Sequence, residues 1–449
     1  MTKNLLAINQ YLANLGKPVP NRKIKIVNCC LIATCALIPW NATAVNHNGL
    51  LSRHQLSAES LTSRIHRLEA DGASSNNTED MLVQSLFEIT QGNNKQALET
   101  IDQLINLTPN FKLAYLIRGD LLMAQARELQ GFGDAGTEKS LDKLAGLKDE
   151  ARVRIEHYLS EKIAHQQPNL LIQPDASQRY AIVVDADKSR LYVYKNDHGN
   201  LGYVSDYYVT IGKNGPGKET SGDKRTPIGV YFASTKLKTP LPDYYGEAAY
   251  PLNYPNELDQ HLSKSGSGIW LHGTPADTYS RPPRASDGCV VLSKPDLKAL
   301  EPILKAGNTP VIIVNSLSLS EENNDYEQQK IALTNAMDAW RKDWSAQDTN
   351  QYLSHYSKEF FSPEGNYKTW ADYKTRVQAS KPKVNVVISN ISMFSYPVSM
   401  TSLPKALQKV VVVDFDQDFR SNNIQIKTRK RQYWGFENNT WKIIYEGKV

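Results

Sequence analysis

One cysteine in the central part of the chain lies beside a glycine and near a histidine. Cys289 follows Gly288 in Ser286-Asp287-Gly288-Cys289, and His272 lies 17 residues earlier in Leu271-His272-Gly273. A cysteine nucleophile needs a base and donors for the oxyanion formed during acyl transfer. His272 could take the thiol proton and give a thiolate at neutral pH. The backbone N–H groups of Gly288 and Cys289 are the expected oxyanion donors.

The other three cysteines lie in an apolar run, residues 26–38, that follows a cluster of basic residues. The length of this run is typical of a secretory signal and is short for a membrane span. We expect cleavage after Ala44 and export to the periplasm or cell envelope; the alternative is an uncleaved N-terminal anchor. In an oxidising compartment Cys289 would have no disulfide partner, so its thiol would be either buried and inert or a working nucleophile. The residues around it favour the nucleophile.

The net positive charge of the chain belongs to this presequence. Residues 1–44 contain five basic and no acidic residues, whereas the whole chain has 52 basic and 47 acidic residues, so the rest carries 47 of each. A balanced body offers no basic field, and we therefore expect no nucleic-acid partner.

Hydrophobic periodicity divides the body into an all-helical N-terminal region, a β-rich centre and an α+β C-terminal part. In the helical region Ala97 and Pro109 have the separation found in tetratricopeptide-type repeats, and a small helical bundle is the alternative. The predicted divisions are a signal peptide (1–44), a tether (45–77), a TPR-like helical region (78–168), a catalytic domain (177–316), a polar linker (317–327) and a C-terminal domain (328–449).

Within the centre, alternating apolar residues predict a hairpin from residues 181–185 and 190–194. Short strands are predicted just before His272, at 269–271, and just after Cys289, at 290–292. If these two strands are neighbours, both side chains lie at the same end of a sheet. In the C-terminal part, helices predicted at 332–344, 352–361 and 370–379 precede four strands, which is the layout of a cone-shaped α+β domain.

Three segments of the centre occur in the order Gly222-Asp223-Lys224-Arg225-Thr226-Pro227, His272-Gly273-Thr274 and Ser286-Asp287-Gly288-Cys289. Together they closely resemble the catalytic domain of the L,D-transpeptidases, the YkuD domain. The resemblance implies that Cys289 attacks the carbonyl between the L- and D-centres of a peptidoglycan tetrapeptide stem and expels the terminal D-alanine. It assigns the base to His272 and ring orientation to the Gly273 carbonyl. The acyl group would then pass to an amine of another stem or to water.

The chain departs from the family pattern at two positions. Many members have histidine two residues before the cysteine and arginine two residues after it, where this chain has Asp287 and Val291. These departures leave open how the substrate carboxylate is held. Arg281 and Arg284 are the candidate ligands, and an exposed loop face is the alternative for both. Ser286 and Asp287 are the other expected substrate-binding residues. We expect no metal and no cofactor.

The segment from about residue 328 resembles the NTF2-like fold through Trp340-Arg341-Lys342-Asp343-Trp344-Ser345 and Trp441-Lys442-Ile443-Ile444-Tyr445-Glu446. This resemblance implies a binding or homodimerisation domain, and the N-terminal helices could recruit a protein partner. The leading functional expectation is an exported peptidoglycan L,D-transpeptidase. The alternatives are an L,D-carboxypeptidase, in which water is the acceptor, and a non-catalytic wall-binding scaffold.

Overall fold

The computed structural model describes residues 77–449, apart from 130, 135–140, 160–167, 318–323, 381–383, 398–406 and 423. The expected signal peptide, nearly all of the expected tether and most of the expected linker lie outside the described residues. The chain divides into two compact units. Of the described residues, one unit contains those from 77 to 109 and from 117 to 132, and the other contains those from 110 to 116 and from 133 to 449.

The first unit is helical. Helices α1 (Asn77–Thr90) and α2 (Asn94–Leu107) are joined by a short turn in which Gly92 has a φ of +78°. Ala97, Ile101 and Leu104 of α2 are fully buried, as their spacing of three and four residues predicts. Thr100 donates a hydrogen bond of 2.8 Å from its hydroxyl to the Glu88 carboxylate and so connects the two helices. Helix α3 (Lys112–Met123) follows and has residues in both units.

From residue 133 onward, the second unit consists of a long helix followed by the β-rich centre. Its elements up to residue 314 are α4 (Leu141–Leu159), β1 (Leu171–Gln173), β2 (Tyr180–Asp185), β3 (Arg190–Asp197), β4 (Asn200–Tyr208), β5 (Ile211–Gly212), β6 (Gly229–Ala233), β7 (Ala249–Pro251), α5 (Glu257–His261), β8 (Trp270–Gly273), β9 (Arg284–Ser286), β10 (Val290–Leu292), α6 (Lys294–Leu304) and β11 (Thr309–Val314).

These strands form one larger sheet and two small ones. The larger sheet has the order β4-β3-β2-β11-β6, and the small sheets have the orders β10-β8-β7 and β5-β9. Strands β2 and β3 pair as the predicted hairpin, and β11 runs parallel to β2. A buried core that includes Ile182, Leu271, Val290 and Leu300 packs the small β10-β8-β7 sheet and α6 against one face of the larger sheet.

The C-terminal part combines helices with one large sheet. Its elements are α7 (Asn324–Ala346), α8 (Thr349–Ser354), β12 (Tyr356–Ser362), β13 (Gly365–Asn366), α9 (Tyr367–Ala379), β14 (Val384–Ser395), β15 (Lys409–Ser421), β16 (Gln425–Glu437) and β17 (Thr440–Lys448). The sheet order is β1-β14-β15-β16-β17-β12-β13, so β1, which precedes the catalytic strands, is an edge strand of this sheet.

The helix predicted over 352–361 is wrong beyond its first turn. Helix α8 ends at Ser354, and β12 then pairs with β17. Tyr356 and Phe360 are buried there, where they pack with Trp370. Aromatic residues favour a half-buried pleated surface, and this tertiary packing outweighs local helix propensity.

The catalytic sheet and the C-terminal sheet share a hydrophobic core. Val183 and Phe232 of the catalytic sheet belong to one buried cluster with Phe394, Val412 and Ile444 of the C-terminal sheet. The Phe232 and Phe394 rings lie 6.3 Å apart in an edge-to-face arrangement. The expected fold class, a helical region followed by a β-rich catalytic domain and an NTF2-like cone, is confirmed, and the last two domains are joined through this core.

Candidate active site

Strands β8 and β10 bring His272 and Cys289 to one place. The strands are parallel neighbours, and the register pairs Val291 with His272. Cys289 immediately precedes β10, so its backbone lies level with Trp270, two residues before His272 on β8. Antiparallel pairing of β8 with β7 holds the opposite side of the histidine strand. The two predicted short strands are therefore adjacent in the structure.

His272 is buried and fixed by its neighbour. Its Nδ1 lies 2.7 Å from the carbonyl oxygen of Gly273, and because a carbonyl can only accept, Nδ1 carries the proton. Nε2 of the neutral ring is then left as an acceptor, which is the form that a general base requires. Burial lowers the pKa of His272 to about 4, and the positive charge of Arg281 also lowers it, whereas hydrogen bonds to the backbone of Gly273 and of Tyr245 raise it.

Cys289 is a neutral thiol in this environment. Burial raises its pKa to about 11, and Asp287 adds to the rise, while the Trp270 N–H and the charges of Arg281 and Lys218 oppose it. The thiol donates to the Gly268 carbonyl over an S···O distance of 3.3 Å. The thiolate expected at neutral pH is therefore not the resting form, because desolvation outweighs the nearby positive charges.

The turn before Cys289 is built around Gly288. Its φ is +129°, and a Cβ at this position would lie 2.8 Å from the Arg225 carbonyl oxygen. Thr226 donates from its hydroxyl to the Gly288 carbonyl at 2.9 Å. The same hydroxyl oxygen accepts a hydrogen bond from the Gly212 N–H at 2.9 Å. This buried threonine couples the Gly212 strand to the cysteine turn.

Ser286 supports the same turn from inside. Its hydroxyl donates to the Cys289 carbonyl at 2.7 Å and accepts from the Gly288 N–H at 3.1 Å. The Gly288 N–H, expected as an oxyanion donor, is thus already engaged in this structure. Ser286, expected to bind substrate, is buried and bonds the backbone of Gly288 and of Cys289. Of the two expected oxyanion donors, the Cys289 N–H is the one that this arrangement leaves for the role.

The three charged residues that were expected to bind substrate, Arg281, Arg284 and Asp287, have different surroundings. The Arg281 guanidinium lies 4.4 Å from the centre of the Tyr244 ring and donates to the Tyr244 carbonyl at 3.1 Å. Its charge acts on both His272 and Cys289, as described above. Arg284 is exposed on β9 and lies near Gly215. Asp287 is exposed and pairs with Lys213 at 3.4 Å.

Sequence reasoning missed two features of the site. Lys218 is 3% exposed and forms a 2.7 Å ion pair with Asp223, and its charge acts on Cys289. The Tyr245 ring lies 5.1 Å from the His272 ring, edge to face, and 4.9 Å from the Trp270 ring. No periodic pattern marks these residues, because Lys218 lies in a loop and Tyr245 ends a short 3₁₀ helix, Asp243–Tyr245. The one signal was the position of Lys218 just before the Gly222–Pro227 segment.

The described part of the chain offers neither a metal-binding cluster nor a membrane-spanning helix. No cluster of three or more histidine, cysteine, aspartate or glutamate side chains there could hold a metal ion. Within the same part of the chain, no helix is both long and apolar enough to cross a bilayer.

Comparison with known proteins assigns both β-containing domains. Residues 179–313 match the L,D-transpeptidase catalytic domain (YkuD), and residues 332–447 match the Cds6 C-terminal NTF2-like domain. The comparison with curated proteins gives no match.

Two solved structures are similar to this chain over nearly all of their own length. Bd1075 of Bdellovibrio bacteriovorus is 27% identical, with 63% of this chain and 98% of that chain covered and a TM-score of 0.54. The helical cell shape determining protein Pgp2 of Campylobacter jejuni is 24% identical over 66% of this chain and 99% of that chain, also with a TM-score of 0.54, which shows a shared fold. The chain therefore joins an L,D-transpeptidase-family catalytic domain to a C-terminal NTF2-like domain of the Cds6 type.

Proposed function

We propose that the protein is an exported peptidoglycan L,D-transpeptidase that acts through a Cys289 acyl-enzyme. The observation that carries the proposal is the parallel pairing of β8 with β10 in a matched catalytic domain, because it sets the strand of His272 beside the turn that holds Cys289, the single cysteine of that domain. Export is proposed from the sequence of residues 1–44. The similarity to a cell shape determining protein agrees with a substrate in the cell wall.

The proposed reaction has two acyl transfers. His272 Nε2 takes the thiol proton as Cys289 Sγ attacks the carbonyl carbon before the terminal D-alanine of a tetrapeptide stem. The C–N bond breaks, His272 returns the proton to the departing D-alanine amine, and a thioester remains. An acceptor amine then attacks the thioester and restores the thiol. The Cys289 N–H stabilises the oxyanion in both steps.

A resting neutral pair suits this mechanism. Because His272 keeps a low pKa and Cys289 a high one, proton transfer occurs only as the new S–C bond forms. The substrate also removes water from the site, which strengthens the interaction of the oxyanion with its donor. In the proposed reaction the Cys289 thiol is therefore activated only when a substrate is bound.

Product masses test the proposal. The full-length protein and Cys289→Ala are incubated with disaccharide-tetrapeptides from peptidoglycan. Cross-linked dimers that depend on Cys289 support transpeptidation. Tripeptide monomers with free D-alanine would instead identify an L,D-carboxypeptidase, and an unchanged substrate would leave a non-catalytic scaffold.

A further inference from the structure

We propose that Glu150 and Ser280 form a positioning pair that fixes Arg281 beside the active site, so that the helix preceding the catalytic domain completes that site. The segment concerned is the Arg281 loop, residues 274–283, which connects β8 to β9. This proposal rests on the proposed acyl-transfer function and extends it to residues outside the matched catalytic domain.

The first contact is between α4 and the loop itself. The Ser280 hydroxyl donates to the Glu150 carboxylate at 2.6 Å. The same carboxylate oxygen accepts from Arg154 at 3.0 and 3.1 Å. The side chains of Glu150 and Arg154 are 1% and 3% exposed, so this is a buried, hydrogen-bonded ion pair. A buried carboxylate bound in this way has a fixed orientation and can hold Ser280 in one place.

The second contact reaches Arg281 through an aromatic ring. The Arg154 guanidinium lies 3.8 Å from the centre of the Tyr208 ring, which is within the range of a cation–π interaction. The Tyr208 hydroxyl donates to the Arg281 carbonyl oxygen at 2.8 Å, and the Thr210 hydroxyl donates to the same oxygen at 3.0 Å. Helix α4 therefore fixes both Ser280 and the backbone of the next residue.

The start of the loop is held by the residues that precede α3. The Asn110 side-chain amide donates to the Ala276 carbonyl at 2.9 Å, and the Tyr279 N–H donates to the Asn110 carbonyl at 3.2 Å. The Phe111 and Tyr279 rings lie 4.7 Å apart. Residues 276, 279 and 280 are thus each bound by a side chain or backbone group that precedes residue 179, where the catalytic-domain match begins.

The charge that this loop delivers acts on both reacting groups. The Arg281 guanidinium stacks on Tyr244, whose ring lies 6.3 Å from the His272 ring. A guanidinium held in one orientation suits a planar carboxylate, and the proposed substrate carries such a group on its terminal D-alanine. A loop released from α4 would leave this charge without a defined position.

The first measurement is turnover of disaccharide-tetrapeptides by full-length variants. Ser280→Ala and Glu150→Gln should lower kcat/KM about tenfold or more, chiefly through a higher KM, because Arg281 no longer meets the substrate in a fixed place. Glu156→Gln is the matched control. Glu156 lies on the same helix, but its side chain is 62% exposed and pairs with Arg152, so the same charge change should leave kcat/KM unchanged.

The second measurement needs no substrate. The rate of Cys289 alkylation by iodoacetamide is followed against pH for the wild type, Ser280→Ala, Arg281→Ala and the double variant. Because the Arg281 charge lowers the pKa of Cys289, both single substitutions should move the alkylation profile to higher pH. If Ser280 acts through Arg281, the double variant should match Arg281→Ala alone.

These results separate the two proposals. A wild type without turnover defeats the proposed function, whereas the alkylation profiles still decide the positioning role. The positioning role is overturned if the alkylation profile of Ser280→Ala is the same as that of the wild type, or if its shift adds fully to that of Arg281→Ala. Ser280→Ala removes one hydroxyl and leaves the Glu150–Arg154 pair intact, and an unchanged thermal unfolding midpoint shows that the variant is folded.

Discussion

The hydroxyl of Tyr433, in the C-terminal sheet, donates a 2.8 Å hydrogen bond to the carboxylate of Glu257, in the catalytic domain. Glu257 begins α5, and Asn256, the residue that caps this helix, donates to the Tyr396 hydroxyl at 2.8 Å. The chain that leaves α5 leads to Gly268, whose carbonyl accepts the Cys289 thiol. The C-terminal domain therefore supports the segment that contacts the nucleophile, in addition to any binding or dimerisation role.

The shared core predicts that the catalytic and C-terminal domains unfold together. Phe394→Ala should lower the free energy of unfolding by about 3–5 kcal/mol, because it leaves a cavity against Phe232 of the catalytic sheet. Chemical denaturation followed by fluorescence should show one transition at lower denaturant. Val387→Ala, at a 49% exposed position on the same strand, is the control and should change little. Two separate transitions would show that the core does not couple the domains.

The cysteine turn predicts a strict need for glycine at position 288. Gly288→Ala should cost about 1–3 kcal/mol in backbone strain alone, and its Cβ would also press on the Arg225 carbonyl oxygen and displace Cys289. We expect loss of turnover with a lower thermal midpoint. Gly222→Ala is the matched control, because its φ is +76° but no atom lies within 4 Å of the added Cβ. Equal activity of the two variants would contradict this account of the turn.

The neutral resting pair predicts a slow thiol at neutral pH. Alkylation of Cys289 without substrate should be slow at pH 7 and should rise toward pH 11, where the thiolate forms. Turnover should persist on the acid side until the pH falls toward 4, where His272 becomes protonated and can no longer act as a base. His272→Ala should abolish turnover. A fast alkylation plateau near pH 6 in the free enzyme would instead reveal a preformed thiolate–imidazolium pair.

Burial of neutral His272 predicts a loss of stability in acid. The pKa of His272 is about 4 in the folded protein, against 6.5 for an unperturbed histidine. Between pH 6.5 and pH 4 the unfolded state therefore binds more protons than the folded state. The stability contribution is present above pH 6.5 and is lost as the pH falls toward 4. The pKa difference corresponds to about 3 kcal/mol. The difference in unfolding free energy between the wild type and His272→Gln, measured from pH 7.5 to 4, should change by this order; a pH-independent difference would refute it.

Local sequence patterns correctly predicted the strands around Cys289. They could not predict contacts between segments that are distant in the sequence. The alternation in residues 181–194 gave the β2–β3 hairpin, and the apolar triplets beside His272 and Cys289 gave β8 and β10. The engagement of the Gly288 N–H by Ser286 depends on the exact turn geometry, which no periodicity reports. The contact between Glu150 and Ser280 spans 130 residues, and β1 pairs with a strand more than 200 residues later. Such pairings follow from tertiary packing alone.

The edge strand β1 has a consequence for how these domains can be exchanged between proteins. Because Leu171 pairs with Phe394, the C-terminal sheet takes one strand from the chain that precedes the catalytic domain. In a chimera in which only residues 324–449 were replaced, the new sheet would have to pair with the original β1 and contact the original Glu257. A functional graft would have to carry residues 168–173 and the Glu257 helix with the C-terminal domain, so the segments to be transferred together are discontinuous along the chain.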